Sequence, residues 1–136
     1  HLAQHHYAGM ALIGSGLLAI DGRILGKPGS AEAAIAQLST ISGRRVTWHS
    51  GIALVGPGGE RNTVVDTVLD MRALDDAELR RYVDRDRPFD CAGAMRSESL
   101  GITLVDRMAS DDPTALIGMP LIRIAEWLRL AGYQIP

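Results

Sequence analysis

The sequence predicts an α/β fold in which a mixed, largely antiparallel sheet is flanked by helices. Three patterns predict it: apolar or β-branched runs of strand length, capped segments whose apolar residues recur at helical spacing, and turns rich in Gly and Pro between them. The length of 136 residues is typical of one domain and suffices to bury a core without disulfides. We therefore expect a single domain over residues 1–136.

Composition and charge exclude several classes of protein. Lys and Arg number 14 against 16 Asp and Glu, a net charge of −2, whereas a non-specific nucleic-acid binder carries a basic excess. No apolar run approaches the roughly 18 residues that a membrane span needs. The one cysteine, Cys91, excludes an internal disulfide and favours a reducing compartment. We expect a cytoplasmic protein whose partners include neither a nucleic-acid polymer nor a membrane.

The first residues carry no signal-peptide pattern. The segment from His1 to Ala8 is interpreted as the last turns of a helix whose beginning is missing. His1 and His5 stand at the i, i+4 spacing that can bind zinc, but no Glu and no third ligand accompany them. A frayed helix end is therefore the preferred interpretation.

A β-hairpin is predicted next. Met10–Ser15 is a short apolar run ending in small residues, which predicts a buried strand leading to a loop, and residues 17–20 continue the strand pattern. Asp21 and Gly22 predict a tight turn, because both central residues of such a turn need positive φ. Residues 23–26 return as the second strand.

The middle of the chain predicts one helix and two long strands. Ser30 is a good N-cap for a helix over Ala31–Ile41. Residues 45–55 alternate as a strand does, and the β-branched residues 62–74 predict a second strand that pairs antiparallel with it.

The last part predicts two further helices. Residues 75–78 form a capping box that opens a short helix through Val83. Residues 100–105 predict a strand, residues 111–114 a turn, and residues 120–131 a final helix with Pro at its first position. The predicted apolar face of that helix comprises Leu121, Ile124, Ala125 and Leu128.

Two short segments are candidates for ligand binding. Lys27 follows a predicted strand, and Pro28 and Gly29 allow a ligand to approach it, so this Lys can act as a point charge for phosphate. Arg96 and Glu98 lie in a loop of small residues, where the Arg can contact phosphate and the Glu can accept hydrogen bonds from a base edge or from a metal-bound water. A solvated turn lysine and a surface Arg–Glu pair are the structural alternatives.

Several segments together resemble a known family in their order and spacing. They are Asp-Gly-Arg-Ile-Leu-Gly-Lys-Pro-Gly (21–29), residues 42–44, 51–54 and 72–74, Glu78, Tyr82, Asp-Cys-Ala-Gly (90–93), Ser-Glu (97–98), residues 100–101, and Ile-Gly-Met-Pro-Leu (117–121). This pattern resembles the Maf family of nucleoside triphosphate pyrophosphatases. Cys91 and Glu98 resemble the branch that acts on 7-methyl-GTP.

The resemblance implies a Maf/ITPase-like sheet and an enzymatic reaction. A nucleoside triphosphate such as 7-methyl-GTP is cleaved between its α- and β-phosphates into the monophosphate and pyrophosphate. Mg²⁺ or Mn²⁺ is implied as the cofactor, and the role is to keep modified nucleotides out of nucleic acid. By the same resemblance, Lys27 binds phosphates or orients the metal site, Glu98 contributes to base selection, and Arg96 keeps the charge of the family's Lys.

Two features of the family are missing from the sequence. One is the N-terminal strand with its Ser-x-Ser-Pro-Arg-Arg phosphate loop; the other is the catalytic Asp, whose place falls near Ser15 and Gly16. Loss of a general base alone lowers a rate by about 10²–10⁴-fold, so we expect impaired activity and leave the catalytic and metal-ligating residues unknown. The alternative is a non-catalytic Maf-like domain that binds nucleotide or a protein.

We also expect a homodimer or a higher oligomer. The resemblance implies that the chain is roughly the C-terminal two-thirds of a longer single-domain enzyme. Loss of the opening strand would leave an apolar sheet edge exposed, and exposed edges pair with other chains.

Overall fold

The computed structural model describes residues 2–7, by their backbone only, and residues 10–136. This part of the chain folds as an α/β protein, so the predicted class is confirmed. Its strands are β1 (Leu2–Tyr7), β2 (Met10–Ile20), β3 (Arg23–Leu25), β4 (Arg45–Gly56), β5 (Gly59–Met71) and β6 (Val105–Ser110). Its helices are α1 (Ala31–Ile41), α2 (Asp76–Asp86) and α3 (Leu121–Leu130).

The strands form one sheet in the order β1-β2-β4-β5-β6, with β3 pairing on β2. β1 and β2 are antiparallel, and so are β2 and β3, which pair from Leu18 opposite Leu25 to Ile20 opposite Arg23. The turn between β2 and β3 has φ of 50° at Asp21 and 72° at Gly22, as the sequence predicts. The predicted hairpin is therefore confirmed, although β2 runs on through Gly16 where a loop was expected.

The helix end predicted at the start of the chain is wrong. Leu2–Tyr7 is strand β1, which pairs with β2 from Leu2 opposite Ser15 to Tyr7 opposite Met10. A single helical turn has little stability by itself, whereas pairing with a neighbouring strand gives backbone hydrogen bonds to every second residue. His1 and His5, which stand at zinc-binding spacing in the sequence, lie outside the residues whose side chains the structure describes.

The apolar sheet edge expected from a missing strand is not found on β2. β1 pairs with that edge, so the path of the described sheet ends at β1 and β6, and the short β3 is a further outer strand beside the end of β2. β6 carries the exposed charged residues Asp106 and Arg107, which discourage pairing with another chain.

The caps of α1 and α2 agree with the sequence, with one difference, whereas Pro120, expected as the first residue of the last helix, is instead the N-cap of α3. Ser30 Oγ accepts a hydrogen bond from the Ala33 amide at 3.2 Å, and Asp75 Oδ1 accepts one from the Glu78 amide at 2.8 Å. The capping box is incomplete, because Glu78 Oε2 instead accepts a hydrogen bond from Arg72 Nη2 at 3.4 Å.

Three predicted boundaries or faces are wrong. The strand expected over residues 62–74 begins at Gly59 and ends at Met71. Residues 100–105 are not a strand: Leu100–Leu104 is a short 3-10 helix, and β6 begins only at Val105. Leu121, expected on the buried face of the last helix, is 55% exposed, whereas Trp127 is buried.

The chain divides into two compact units, which we describe separately. Unit 1 comprises residues 1–16, 49–67 and 110–136, and its core contains Ile52, Leu54, Ile124 and Trp127. Unit 2 comprises residues 17–48 and 68–109, and in it α1 packs against α2. The single domain stays a prediction. Within the described residues, every helix is too short or too polar to cross a bilayer.

Candidate functional site

Two loops of unit 2 are joined by backbone hydrogen bonds. The amide of Gly93 donates to the carbonyl oxygen of Gly26 at 3.2 Å, and the amide of Gly29 donates to the carbonyl oxygen of Phe89 at 3.0 Å. We call residues 26–29 the lysine loop and residues 89–94 the cysteine loop. The structure thus brings together two motifs that lie far apart in the sequence.

Gly93 occupies a position that only glycine fits. Its φ is +66°, and a Cβ atom built on it would lie 2.2 Å from Leu18 Cδ2. The cysteine loop therefore lies directly on the buried Leu18 side chain of β2. This contact explains why the Asp-Cys-Ala-Gly segment ends in glycine, since any side chain at Gly93 would collide with Leu18.

The cysteine loop also holds Arg96. The guanidinium of Arg96 donates a hydrogen bond to Cys91, and this contact is the largest cause that raises the pKa of Arg96 above its ordinary value. The acidic neighbours Asp86 and Glu98 act in the same direction. Lys27 is exposed on the lysine loop, which the Gly93–Gly26 hydrogen bond joins to the cysteine loop.

Glu98 lies in a tight turn that starts at Arg96. The amides of Ser99 and Gly101 donate to the Arg96 carbonyl oxygen at 3.2 Å and 2.9 Å. A Cβ atom on Gly101 would lie 2.4 Å from that same oxygen, so the turn closes only around glycine. We call residues 96–101 the glutamate turn; its closure explains why a strand cannot begin at Leu100.

The glutamate turn is fixed from α2, which the sequence did not reveal. The hydroxyl of Tyr82 accepts a hydrogen bond from the Arg96 amide at 2.8 Å. The carboxylate of Asp86 accepts hydrogen bonds from Ser99 Oγ and from the Leu100 amide, both at 2.9 Å. Burial raises the pKa of Tyr82. One signal was available: an acidic residue in the last turn of a helix opposes the helix dipole.

The candidate site is a surface rather than a closed pocket. Lys27 and Glu98 are exposed, and Arg96 is half-buried. A cavity of about 440 Å³ between α1 and α2 includes Phe89 in its lining, but Lys27, Arg96 and Glu98 do not line it. The arrangement offers two cations for an oxyanion and one carboxylate that can accept hydrogen bonds.

The structure offers no general base or metal cage at the place expected for the family's Asp. Ser15 and Gly16 lie within β2, and Ser15 Oγ would be 3.2 Å from a Cβ atom on Gly51. In the described part of the chain, no group of three or more His, Cys, Asp or Glu side chains could hold a metal ion. These residues by themselves therefore do not fit Mg²⁺ or Mn²⁺, and no catalytic residue is assigned.

Comparison with known proteins places this arrangement in a family. The model of the family described as "Maf-like protein" matches residues 3–131. The chain belongs to the Maf-like protein family. The resemblance inferred from the loops and turns is confirmed.

Three relatives of this Maf-like chain share one functional name. The "7-methyl-GTP pyrophosphatase" of Xanthomonas oryzae pv. oryzae (strain MAFF 311018) is 46% identical over 129 residues, which cover 94% of this chain and 68% of that protein. The protein of the same name from Aromatoleum aromaticum is 43% identical over 137 residues, covering 99% of this chain and 71% of the relative. The protein of that name from Cupriavidus metallidurans is 46% identical over 130 residues, or 93% of this chain and 65% of the relative. The chain thus spans about two-thirds of the length of these relatives.

Proposed function

We propose that this Maf-like chain binds a modified nucleoside triphosphate such as 7-methyl-GTP and cleaves it between the α- and β-phosphates. The products are the monophosphate and pyrophosphate. The observation that carries the proposal is the pairing of the lysine loop with the cysteine loop, which connects Lys27 to Arg96 through Cys91. The names of the relatives support the choice of substrate.

Lys27 and Arg96 are the proposed phosphate-binding residues. A lysine supplies a compact, strongly hydrated positive charge, whereas a guanidinium matches phosphate with two parallel hydrogen bonds. The neighbouring Cys91 raises the pKa of Arg96, which favours the charged guanidinium that a phosphate needs. Lys27 is exposed and free to move toward a polyphosphate chain.

Glu98 is the proposed base-selecting residue. An ionised carboxylate is an acceptor only, and the Watson–Crick edge of guanine offers N–H donors. Methylation at N7 places a positive charge on the base, so a carboxylate binds 7-methylguanine more strongly than it binds guanine. Glu98 is exposed at the tip of the glutamate turn and can accept such contacts.

We propose that activity is impaired in this chain and that Mg²⁺ or Mn²⁺ arrives with the triphosphate. Mg²⁺ is commonly held by substrate phosphates together with only one or two carboxylates. The second candidate function is a non-catalytic domain that binds a nucleotide or a protein. It is favoured by the lack of a carboxylate at Ser15 and Gly16.

We further propose a cytoplasmic homodimer that removes modified nucleotides before they enter nucleic acid. The free thiol of Cys91 agrees with a reducing compartment. Exposed apolar side chains in unit 1 support self-association: Ile117 is 62% exposed, Leu121 55% and Ile122 58%.

Pyrophosphate release from 7-methyl-GTP and from GTP, with Mg²⁺ or Mn²⁺ present, tests the proposed function. We expect the wild-type chain to release pyrophosphate and 7-methyl-GMP faster than the Lys27→Ala, Glu98→Ala double variant. The double variant Glu60→Ala, Arg61→Ala removes the same two types of exposed charge from the start of β5 and should match the wild type. Binding without turnover in every variant would instead support the non-catalytic candidate.

A further inference from the structure

We propose that Asp86 and Tyr82 of α2 are positioning residues that set the selectivity of the site for the nucleobase. They fix the glutamate turn, and through it the direction of Glu98. The inference rests on the proposed function only in assigning base selection to Glu98.

The two residues hold the glutamate turn on both sides of Glu98. Before Glu98, the Tyr82 hydroxyl accepts the 2.8 Å hydrogen bond from the Arg96 amide. After it, the Asp86 carboxylate accepts the two 2.9 Å hydrogen bonds from Ser99 Oγ and the Leu100 amide. Each contact fixes a position within two residues of Glu98.

The positions of the two residues on α2 support this role. Tyr82 and Asp86 are four residues apart, so they lie on the same face of the helix. Asp86 is 8% exposed and Tyr82 is 5% exposed. A buried carboxylate costs free energy unless it is hydrogen-bonded, and a negative charge in the last turn of a helix is unfavourable. Asp86 therefore does not stabilise α2 itself; it stabilises the turn that it contacts.

Glu98 depends on this scaffold because its carboxylate is exposed and has no hydrogen-bond partner among the described residues. Its direction follows from the backbone of the turn, which Gly101 already restricts by its close approach to Arg96. Because the glutamate turn is already fixed before a ligand arrives, it loses less conformational entropy on binding. This gain in binding free energy is largest for the base that Glu98 contacts.

Nucleotide affinity in EDTA, where no metal-dependent hydrolysis occurs, tests the inference. The measured quantity is the ratio of the dissociation constant for GTP to that for 7-methyl-GTP. In Asp86→Asn, an amide NH₂ replaces one acceptor oxygen, so we expect the ratio to fall about fivefold or more toward that of Glu98→Gln. Affinity for the triphosphate part, read from the dissociation constant for GTP, should stay within about twofold because Lys27 is untouched.

Two further variants separate positioning from general destabilisation. Asp84→Asn makes the same change at an exposed position of α2 and should leave the ratio unchanged. Ser99→Ala removes only the hydroxyl that donates to Asp86 and should lower the ratio in the same direction with an intact fold. Asp86→Glu keeps the carboxylate, so its ratio of dissociation constants should lie between those of Asp86→Asn and the wild type. An unchanged ratio in both Asp86→Asn and Ser99→Ala would overturn the inference.

Amide hydrogen exchange supplies a readout that needs no ligand. The amides of Arg96 and Leu100 should exchange slowly in the wild type and faster in Asp86→Asn, but not in Asp84→Asn. A wild type that discriminates between the bases without hydrolysing them would overturn the proposed reaction and leave the positioning role intact. A wild type that hydrolyses both nucleotides and binds them equally would overturn base selection by Glu98 and the positioning role, and would leave the proposed reaction intact.

Discussion

The amide of Gly93 donates a 3.2 Å hydrogen bond to the carbonyl oxygen of Gly26. This contact joins the cysteine loop to the lysine loop, and Gln37 Nε2 of α1 donates to the same oxygen at 3.1 Å. The Gly26 carbonyl is therefore the point at which both loops and a helix meet. The relative positions of Lys27 and Cys91 depend on it.

Gly93→Ala tests the packing of the cysteine loop. The added methyl group meets Leu18 Cδ2 at 2.2 Å, and φ is +66°. We expect a loss of about 2–5 kcal/mol in the free energy of unfolding, from left-handed strain together with overpacking. Gly22→Ala is the control, since its φ is +72° but nothing lies within 4 Å. Equal losses in urea titrations of the two variants would contradict the close packing on Leu18.

Asp112→Asn tests a buried carboxylate of unit 1. Asp112 is 3% exposed and accepts hydrogen bonds from the Thr114 amide at 3.0 Å, from Thr114 Oγ1 at 2.5 Å and from the Ile122 amide at 2.8 Å. We expect a loss of about 1–3 kcal/mol in the free energy of unfolding. Asp111→Asn, at the exposed neighbouring position, should change it by less than about 0.5 kcal/mol. A similar small effect for both variants would show that Asp112 does not cap α3.

Stability at high pH tests the environment of Tyr82. Because burial raises its pKa above the ordinary value of about 10, the native state keeps a proton that the unfolded state loses. The contribution of the Tyr82 proton to the free energy of unfolding is complete below about pH 10. Above that pH it declines by at most about 1.4 kcal/mol per pH unit. Urea titrations from about pH 8 to pH 11.5 should show a shallower decline for Tyr82→Phe. Identical declines would contradict the burial of the hydroxyl.

Light scattering tests the proposed homodimer. Leu121→Asp places a charge on the exposed apolar surface, at the first residue of α3, where an acidic side chain suits the helix dipole. At tens of micromolar chain we expect the wild type to be dimeric and this variant to be monomeric. Ile24→Asp, at a 66% exposed position of β3, should remain dimeric. A monomeric wild type would contradict the proposal.

Local patterns predicted the elements that short-range chemistry determines. The positive φ values of Asp21 and Gly22 and the cap at Ser30 follow from neighbouring residues, and both were predicted correctly. Residues 100–105 were not, because their apolar pattern suits a strand while their backbone is held by contacts with Asp86 and Arg96. The strand at the start of the chain escapes prediction for a similar reason, because the pairing of Leu2–Tyr7 with β2 does not follow from the local sequence.

For the candidate site, the sequence supplied the residues but not their connections. The order of the motifs predicts Lys27, Arg96 and Glu98. The contacts through Cys91, Tyr82 and Asp86 depend instead on how α2 and the loops pack. No spacing rule predicts that Asp86 turns away from solvent toward Ser99.

The most direct test of the central claim, that the two joined loops form one nucleotide site, is an NMR titration with 7-methyl-GTP. We expect the backbone amides of the lysine loop and of residues 91–98 to shift together along one binding curve. Shifts confined to unit 1, or separate curves for the two loops, would contradict the claim.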